Sequence, residues 1–223
     1  MFKARMRFAK EGRAKYISHL DLMHTLQRAM ARCQMPLWFT EGYNQHAYVS
    51  VALPLATGFS GECEFLDFNL LSDQTPPDAV ARLNAVLPEG LRALEIYPLA
   101  DGGHKIADIA WSRFRITWGF ADCVPDGFVE QVQSLFARDE IPILKRSKRG
   151  EKVVNLREFL HELPQIQAFG HFVLCETVAA AGNQSLSPEY LTRAVQQYLP
   201  QFSIQDAAYH RLAVYTAQME PFR

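Results

Sequence analysis

The sequence has no long apolar run. Across its 223 residues, no stretch approaches the roughly 20 consecutive apolar residues that are needed to cross a bilayer. The first ten residues, MFKARMRFAK, alternate apolar and basic side chains and contain no apolar core of a secretory signal. No membrane span is therefore predicted, and we expect a cytoplasmic protein.

Cysteine is scarce and scattered. The four cysteines are so far apart that no two form a Cys-x-x-Cys pair: Cys33, Cys63, Cys123 and Cys175. Structural zinc sites and iron–sulfur clusters usually draw on closely spaced cysteines, so the sequence predicts neither. We expect reduced and mostly buried thiols, with no metal and no cofactor bound by this chain.

Short motifs that mark several enzyme classes are also missing. The chain contains no nucleophile elbow, no glycine-rich loop that cradles phosphate, and no His-x-x-x-His pair for zinc. The sequence therefore does not identify a reaction.

Charge is nearly balanced overall, at −1, but it is unevenly distributed along the chain. Residues 1–35 carry eight Lys or Arg against two acidic residues, and residues 145–152, KRSKRGEK, carry five against one. Acidic residues are in excess between these two basic segments. The pattern indicates either a local site for an anionic partner or two solvated basic surfaces.

The order of strands and helices predicts an α+β protein. Residues 1–98 give the order β-α-β-β-α-β, and residues 111–223 repeat it with one extra strand and a basic hairpin. The segment 99–110 between them is predicted to be a linker. Because β-α-β-β-α-β is the ferredoxin-like motif, we predict two tandem ferredoxin-like halves with antiparallel sheets. Within the second half, AFGHFVLCETVA (168–179) is expected to form one strand.

The first strand of each half carries basic residues on the face that the helices leave uncovered. In the first half these are Lys3, Arg5 and Arg7, and in the second half they are Arg113 and Arg115. Many RNA-binding proteins use such an open sheet. The other half could instead cover the face, and buried arginines would then need carboxylate partners.

Two histidines lie in distinctive contexts. In ISHLDL, Ser18 and Asp21 fit a capping box at the start of a helix, with each side chain bonded to the backbone amide of the other. His19 then begins the apolar stripe, either as an edge of the core or facing a ligand beside free amides. His46 lies in a long polar loop, GYNQHAY, together with Asn44, which tolerates left-handed backbone.

The segment from Phe8 to Leu70 resembles the radical-SAM-linked domain family of unknown function. The specific parts are ISHLDL and GYNQHAYVSVALPL, although Gln45 stands where the family has proline, and the spacing from Gly58 to Gly61 also departs. The resemblance implies a cytoplasmic protein whose partner is a radical SAM enzyme. That partner would use S-adenosylmethionine, an iron–sulfur cluster and, in the cobalamin-binding type, cobalamin. This chain lacks the Cys-x-x-x-Cys-x-x-Cys cluster motif, so it cannot host that chemistry itself.

Three functional hypotheses follow. The first is an accessory recognition module that binds RNA or another anionic substrate and presents it to the radical SAM enzyme. The second is an RNA-processing or RNA-modifying enzyme in which His19 and His46 transfer protons. The third is a protein–protein adaptor that docks through the apolar segment VSVALPLATG (49–58). The candidate substrate-binding residues are Lys3, Arg5, Arg7, Ser18, His19, Asn44, His46, Lys145, Arg146, Lys148 and Arg149.

Overall fold

The chain folds into two compact units. The N-terminal unit comprises Met1–Ile106 with Arg223, and the C-terminal unit comprises Ala107–Phe222. The computed structural model describes residues 2–43, 45–99, 103–147 and 150–223. Asn44, Lys148 and Arg149, three of the predicted binding residues, lie outside the described residues.

The N-terminal unit is a four-stranded antiparallel sheet with two α-helices. Its strands pair in the order β4-β1-β3-β2. Its elements are β1 (Phe2–Lys10), a short 3-10 helix (Gly12–Tyr16), α1 (His19–Arg32), β2 (Val49–Ala52), β3 (Ser60–Leu70), α2 (Ala79–Asn84) and β4 (Leu91–Pro98).

The core of this unit lies on the helical side of the sheet. Ala4, Met6 and Phe8 alternate along β1 and are fully buried against the apolar stripe of α1, which includes Leu26 and Met30. The alternation of these apolar side chains is that of a strand with one face on the core, although Arg5 on the other face is buried too. The basic residues between them therefore lie on the opposite face.

Helix α1 begins as the sequence predicts, with one difference in the cap. The hydroxyl oxygen of Ser18 accepts a hydrogen bond from the Asp21 amide at 3.1 Å. The Asp21 carboxylate, however, accepts from the Ser18 hydroxyl at 2.7 Å, instead of from the Ser18 amide. Both residues are thus explained by helix capping, and the negative charge suits the positive end of the helix dipole.

The second strand of the N-terminal unit lies inside the segment that we expected to be a long connection. Val49–Ala52 pairs with β3, and Val49 and Val51 pack against the core. The apolar run PLWF (36–39), which precedes this segment, does not form a strand of the sheet. It makes isolated bridges instead, through Leu37 to Leu70 and through Phe39 to Ala47.

The C-terminal unit also contains a four-stranded antiparallel sheet. The elements are β5 (Ile109–Gly119), α3 (Phe128–Phe136), β6 (Pro142–Ser147), β7 (Gly150–Asn155), β8 (Gln165–Phe169), β9 (Phe172–Ala180), α4 (Glu189–Tyr198) and β10 (Asp206–Thr216), with 3-10 turns at Ile106–Asp108, Leu156–Phe159 and Gly182–Gln184. The strands of the sheet pair in the order β10-β5-β9-β8, and β6 and β7 form a separate two-stranded hairpin.

One predicted strand of this unit is in fact two. The segment 168–179 turns at Gly170, whose φ of +56° is readily adopted by glycine, and so separates β8 from β9. Four strands consequently form the sheet, and the predicted basic hairpin stands outside it. Trp118 is fully buried in the core of this unit, and its indole N–H donates to the Thr192 hydroxyl at 2.9 Å.

The α+β class with antiparallel sheets is confirmed. Cys33, Cys63 and Cys175 are buried, Cys123 is exposed, and all four are free thiols. Among the described residues, no helix combines the length and apolar character needed to span a membrane.

Candidate anion-binding site

The three basic residues of β1 lie in very different surroundings. Lys3 is exposed, Arg5 is only 1% exposed, and Arg7 is intermediate. Arg7 forms an ion pair with Glu95 at 2.8 Å, and Glu95 also accepts from Arg223 at 2.9 Å. The predicted cationic row is therefore interrupted by burial and by carboxylates.

Arg5 is held by Asp67, directly opposite it on β3. The guanidinium Nε donates to one carboxylate oxygen at 2.6 Å, and a terminal nitrogen donates to the other at 2.9 Å. This two-point arrangement is the strong form of an arginine–carboxylate pair. It balances the charge of a side chain that has almost no access to water.

A pocket of about 650 Å³ lies over this face of the N-terminal sheet. Three parts of the unit line it: the sheet itself, the segment between α1 and β2, and the segment after β4. The residues concerned are Lys3, Arg5, Asp67, Phe68 and Asn69 from the sheet, Trp38, Thr40 and Tyr48 from the first segment, and Leu99, Gly103, His104, Lys105 and Ile106 from the second.

The aromatic wall of the pocket is built by a short local pairing of the chain. The Thr40 amide donates to the His46 carbonyl at 2.9 Å, and the Tyr48 amide donates to the Trp38 carbonyl at 3.2 Å. With the bridge between Phe39 and the residue before Tyr48, this register sets Trp38 directly opposite Tyr48. The Trp38 amide also donates to the carbonyl of Asn69 at 2.9 Å, and this hydrogen bond joins the aromatic wall to β3.

The pocket is positively charged. Its lining includes the cations Lys3, Arg5 and Lys105 and one carboxylate, Asp67, which Arg5 already engages. The balance favours an anionic ligand. Aromatic rings beside such charges suit the flat faces of nucleobases.

The two histidines are exposed and lie on different elements. His46 is held by Thr40, whose hydroxyl oxygen lies 3.2 Å from the imidazole Nδ1 and accepts from the His46 amide at 3.2 Å. His19 begins α1, and a hydrogen bond joins α1 to the His46 segment at Gln27, whose amide donates to the Ala47 carbonyl at 3.2 Å. Gln27 lies eight residues further along α1, or about 12 Å along the axis. Proton transfer by a His19–His46 pair remains a prediction.

The basic hairpin of the C-terminal unit forms a second polar surface. Lys145 donates to the Ser185 carbonyl at 2.6 Å, and its ammonium lies 4.6 Å from the centre of the Phe159 ring. Burial lowers the pKa of Lys145. Arg146 forms an ion pair with Glu151 at 2.7 Å. Lys152, directly opposite Lys145, lines the same pocket of about 520 Å³.

Several pocket residues were not predicted from sequence. Trp38 stood in a short apolar run, Tyr48 in a predicted loop, and Lys105 in a predicted linker. A signal for two other pocket residues was present, because Asp67 and Asn69 are polar residues two positions apart in the apolar stretch FLDFNL (65–70). Such spacing places both on one face, opposite the core.

These features define an α+β protein with a cationic, aromatic-walled pocket in its N-terminal unit. The chain belongs to the family DUF2344, described as an uncharacterized protein conserved in bacteria, whose model matches residues 3–188. That description does not refer to radical SAM chemistry, so the radical SAM link remains a prediction. Among proteins with curated functions, none matches the chain.

Solved structures with a similar course of the chain include components of three complexes. A Cbf5–Nop10–Gar1 complex is 11% identical over 95% of this chain and 48% of the other, with a TM-score of 0.49. An H/ACA ribonucleoprotein bound to a substrate RNA containing 2'-deoxyuridine is 10% identical over 94% of this chain and 46% of the other, with a TM-score of 0.48. An archaeal box H/ACA sRNP Nop10–Cbf5 complex is 11% identical over 93% of this chain and 46% of the other, with a TM-score of 0.45. This chain spans about half the length of these three chains, and the likeness concerns the fold alone.

The Arg5–Asp67 pair can be tested against a matched pair in the other unit. Arg115 on β5 lies opposite Glu176 on β9 and donates to it at 2.8 and 2.6 Å, but both side chains are at least 32% exposed. We expect Asp67→Asn to lower the free energy of unfolding by about 3 kcal/mol, because it leaves a buried charge unbalanced. Glu176→Gln should cost less than about 1 kcal/mol. Urea denaturation measures both, and equal losses would contradict the assigned role of burial.

Tyr97, directly opposite Arg5 on β4, predicts a dependence of stability on alkaline pH. Its hydroxyl is buried and has no hydrogen-bond partner in the described part of the chain, and burial raises the pKa of Tyr97 to about 12. The unfolded chain ionises first, near pH 10, so the stabilisation is complete below that pH and is lost as pH rises towards 12. Between pH 9 and pH 11, we expect the free energy of unfolding of Tyr97→Phe to fall by about 1 kcal/mol less than that of the wild type. Urea denaturation at a series of pH values measures this difference. Parallel curves for the two proteins would rule this out.

Proposed function

We propose that the chain is an accessory recognition module that binds RNA through the pocket of the N-terminal unit and works with a radical SAM enzyme of the cobalamin-binding type. The observation that carries the RNA-binding part is the meeting of Lys3 and Lys105 with Trp38 and Tyr48 around one cavity. The radical SAM part rests on the sequence resemblance alone.

Phosphate groups account for the cationic side of the pocket. Lys3 lies on the sheet and Lys105 on the segment after β4, so the two ammonium groups come from different elements of the lining. Each phosphate that a lysine neutralises releases counterions, which makes RNA affinity dependent on salt. Arg5 contributes less to this effect, because Asp67 balances its charge.

Nucleobases account for the aromatic side. Each base that stacks on an aromatic side chain contributes about 1–3 kcal/mol, with little dependence on sequence. Trp38 is partly buried and Tyr48 is 43% exposed, so both rings are anchored and yet present a surface at the pocket.

A ferredoxin-like fold of each unit would suit this use. Both units follow the order β-α-β-β-α-β when the β6–β7 hairpin is set aside, and each sheet pairs its fourth, first, third and second strands in that order. That order supports our proposal of two ferredoxin-like halves. RNA-recognition sheets of this general type bind RNA on the face opposite the helices, where Lys3 and Asn69 lie here.

The alternatives receive different support. His46 neighbours Thr40, which lines the pocket, so RNA processing with His19 and His46 remains the second candidate. The adaptor hypothesis is weakened, because Val49 and Val51 of the apolar segment lie in β2 and pack on the core.

RNA binding is tested by filter binding of transfer RNA and a single-stranded oligonucleotide across a salt series. We expect Lys3→Gln and Lys105→Gln each to reduce the slope of log affinity against log salt by about 0.7 on the single strand. Arg92→Gln, an exposed residue on β4 outside the pocket, is the matched control and should leave the slope unchanged. Failure of the wild type to bind either RNA at low salt would overturn the proposal, and cleaved RNA would favour the second candidate.

The partnership is tested by anaerobic purification of the tagged chain from bacteria that express it. We expect a co-purifying polypeptide that contains iron, acid-labile sulfide and a Cys-x-x-x-Cys-x-x-Cys motif. Isolation of the chain without an iron–sulfur protein, from cells in which such enzymes are intact, would contradict the partnership and leave the RNA proposal untouched.

A further inference from the structure

On the basis of the proposed RNA-binding function, we infer that the pocket holds one unstacked adenine of single-stranded RNA, and that Asn69 reads its edge. The inference names the ligand of the pocket, and it starts from a buried polar side chain that the fold itself does not explain.

Asn69 is 6% exposed and lies on β3 opposite Lys3. Alternation along the strand places it on the same face as Asp67, which is the face that the pocket covers. Within the part of the chain that the structure describes, the Asn69 carboxamide makes no hydrogen bond to another group. A ligand that offers a matching donor and acceptor to this carboxamide would therefore be bound selectively.

The surroundings of Asn69 match the shape of a base. Its own carbonyl accepts from the Trp38 amide at 2.9 Å, so the indole belongs to the neighbouring stretch of wall, with Tyr48 opposite it. The volume of about 650 Å³ falls within the range of about 300–1,000 Å³ that is usual for small-molecule pockets. A base inside a duplex is stacked on both faces and cannot enter, whereas an unpaired base can.

Adenine is the base that an asparagine carboxamide characteristically recognises with two hydrogen bonds. A primary amide offers one donor group beside one acceptor, and adenine presents the complementary N7 acceptor beside its N6 donor. Asp67 does not compete for this role, because both of its oxygens accept from Arg5. Asn69 is therefore assigned to base recognition, and Lys3 and Lys105 to the adjoining phosphates.

The test compares the heptamers U7 and U3AU3 by fluorescence titration. We expect the wild type to prefer U3AU3 by about tenfold, which is 1.4 kcal/mol and within the range for one good base contact. Asn69→Leu should abolish the preference and retain the salt slope. Lys3→Gln should lower the slope and retain the preference, and so serves as the matched control.

A second measurement keeps the inference testable if Asn69→Leu does not fold. A heptamer with 8-azidoadenine at the central position should crosslink, in the wild-type protein, to Trp38 or Tyr48. Crosslinks confined to the C-terminal unit, or equal affinity for the two heptamers, would overturn the adenine assignment while leaving RNA binding intact. Absence of any binding would instead overturn the proposed function.

Discussion

The buried ion pair of Arg5 and Asp67 is the interaction on which the candidate site depends. A guanidinium that is 1% exposed is tolerated only when its charge is balanced, and the two short bonds to Asp67 supply that balance while engaging its Nε and one terminal nitrogen. The bonds cross from β1 to β3, so they favour one register between these strands. That register sets Lys3 opposite Asn69, and these two residues form the polar floor of the pocket.

The C-terminal unit contains a corresponding arginine–carboxylate pair, but that pair is not buried. Arg115 and Glu176 occupy the first and third strands of its sheet, as Arg5 and Asp67 do in the N-terminal unit. Both members of the C-terminal pair are partly exposed, so water screens their charges. In the N-terminal unit, the segment after β4 contributes Leu99 and His104 to the lining of the pocket beside Arg5. The two units therefore share an arrangement of charges, while a polar pocket over that arrangement is built from the loops of the N-terminal unit.

Local patterns in the sequence predicted the helices and strands better than they predicted which segments pair with one another. The alternation of β1 and the Ser18 cap of α1 depend on neighbouring residues, and both were recognisable from spacing alone. The position of β2 was missed, because Val49 and Val51 become a strand only through pairing with β3. Gly170 was a visible break, yet continuous apolar character on both sides favoured a single strand. Trp38 and Tyr48 are ten residues apart and meet through a local pairing that no spacing rule identifies.

The neutralised arginine also decides how affinity and selectivity divide within the pocket. If Arg5 were free, the strongest electrostatic field would lie at the floor, and phosphate would compete with the base for that position. Because Asp67 holds Arg5 in a balanced pair, the floor offers mainly dipolar groups, of which the Asn69 carboxamide is the most directional. Lys3 lies on the sheet beside Asn69, and Lys105 lies on the segment after β4. These two lysines attract a phosphodiester chain, while the hydrogen-bond geometry of Asn69, and not charge, discriminates between bases.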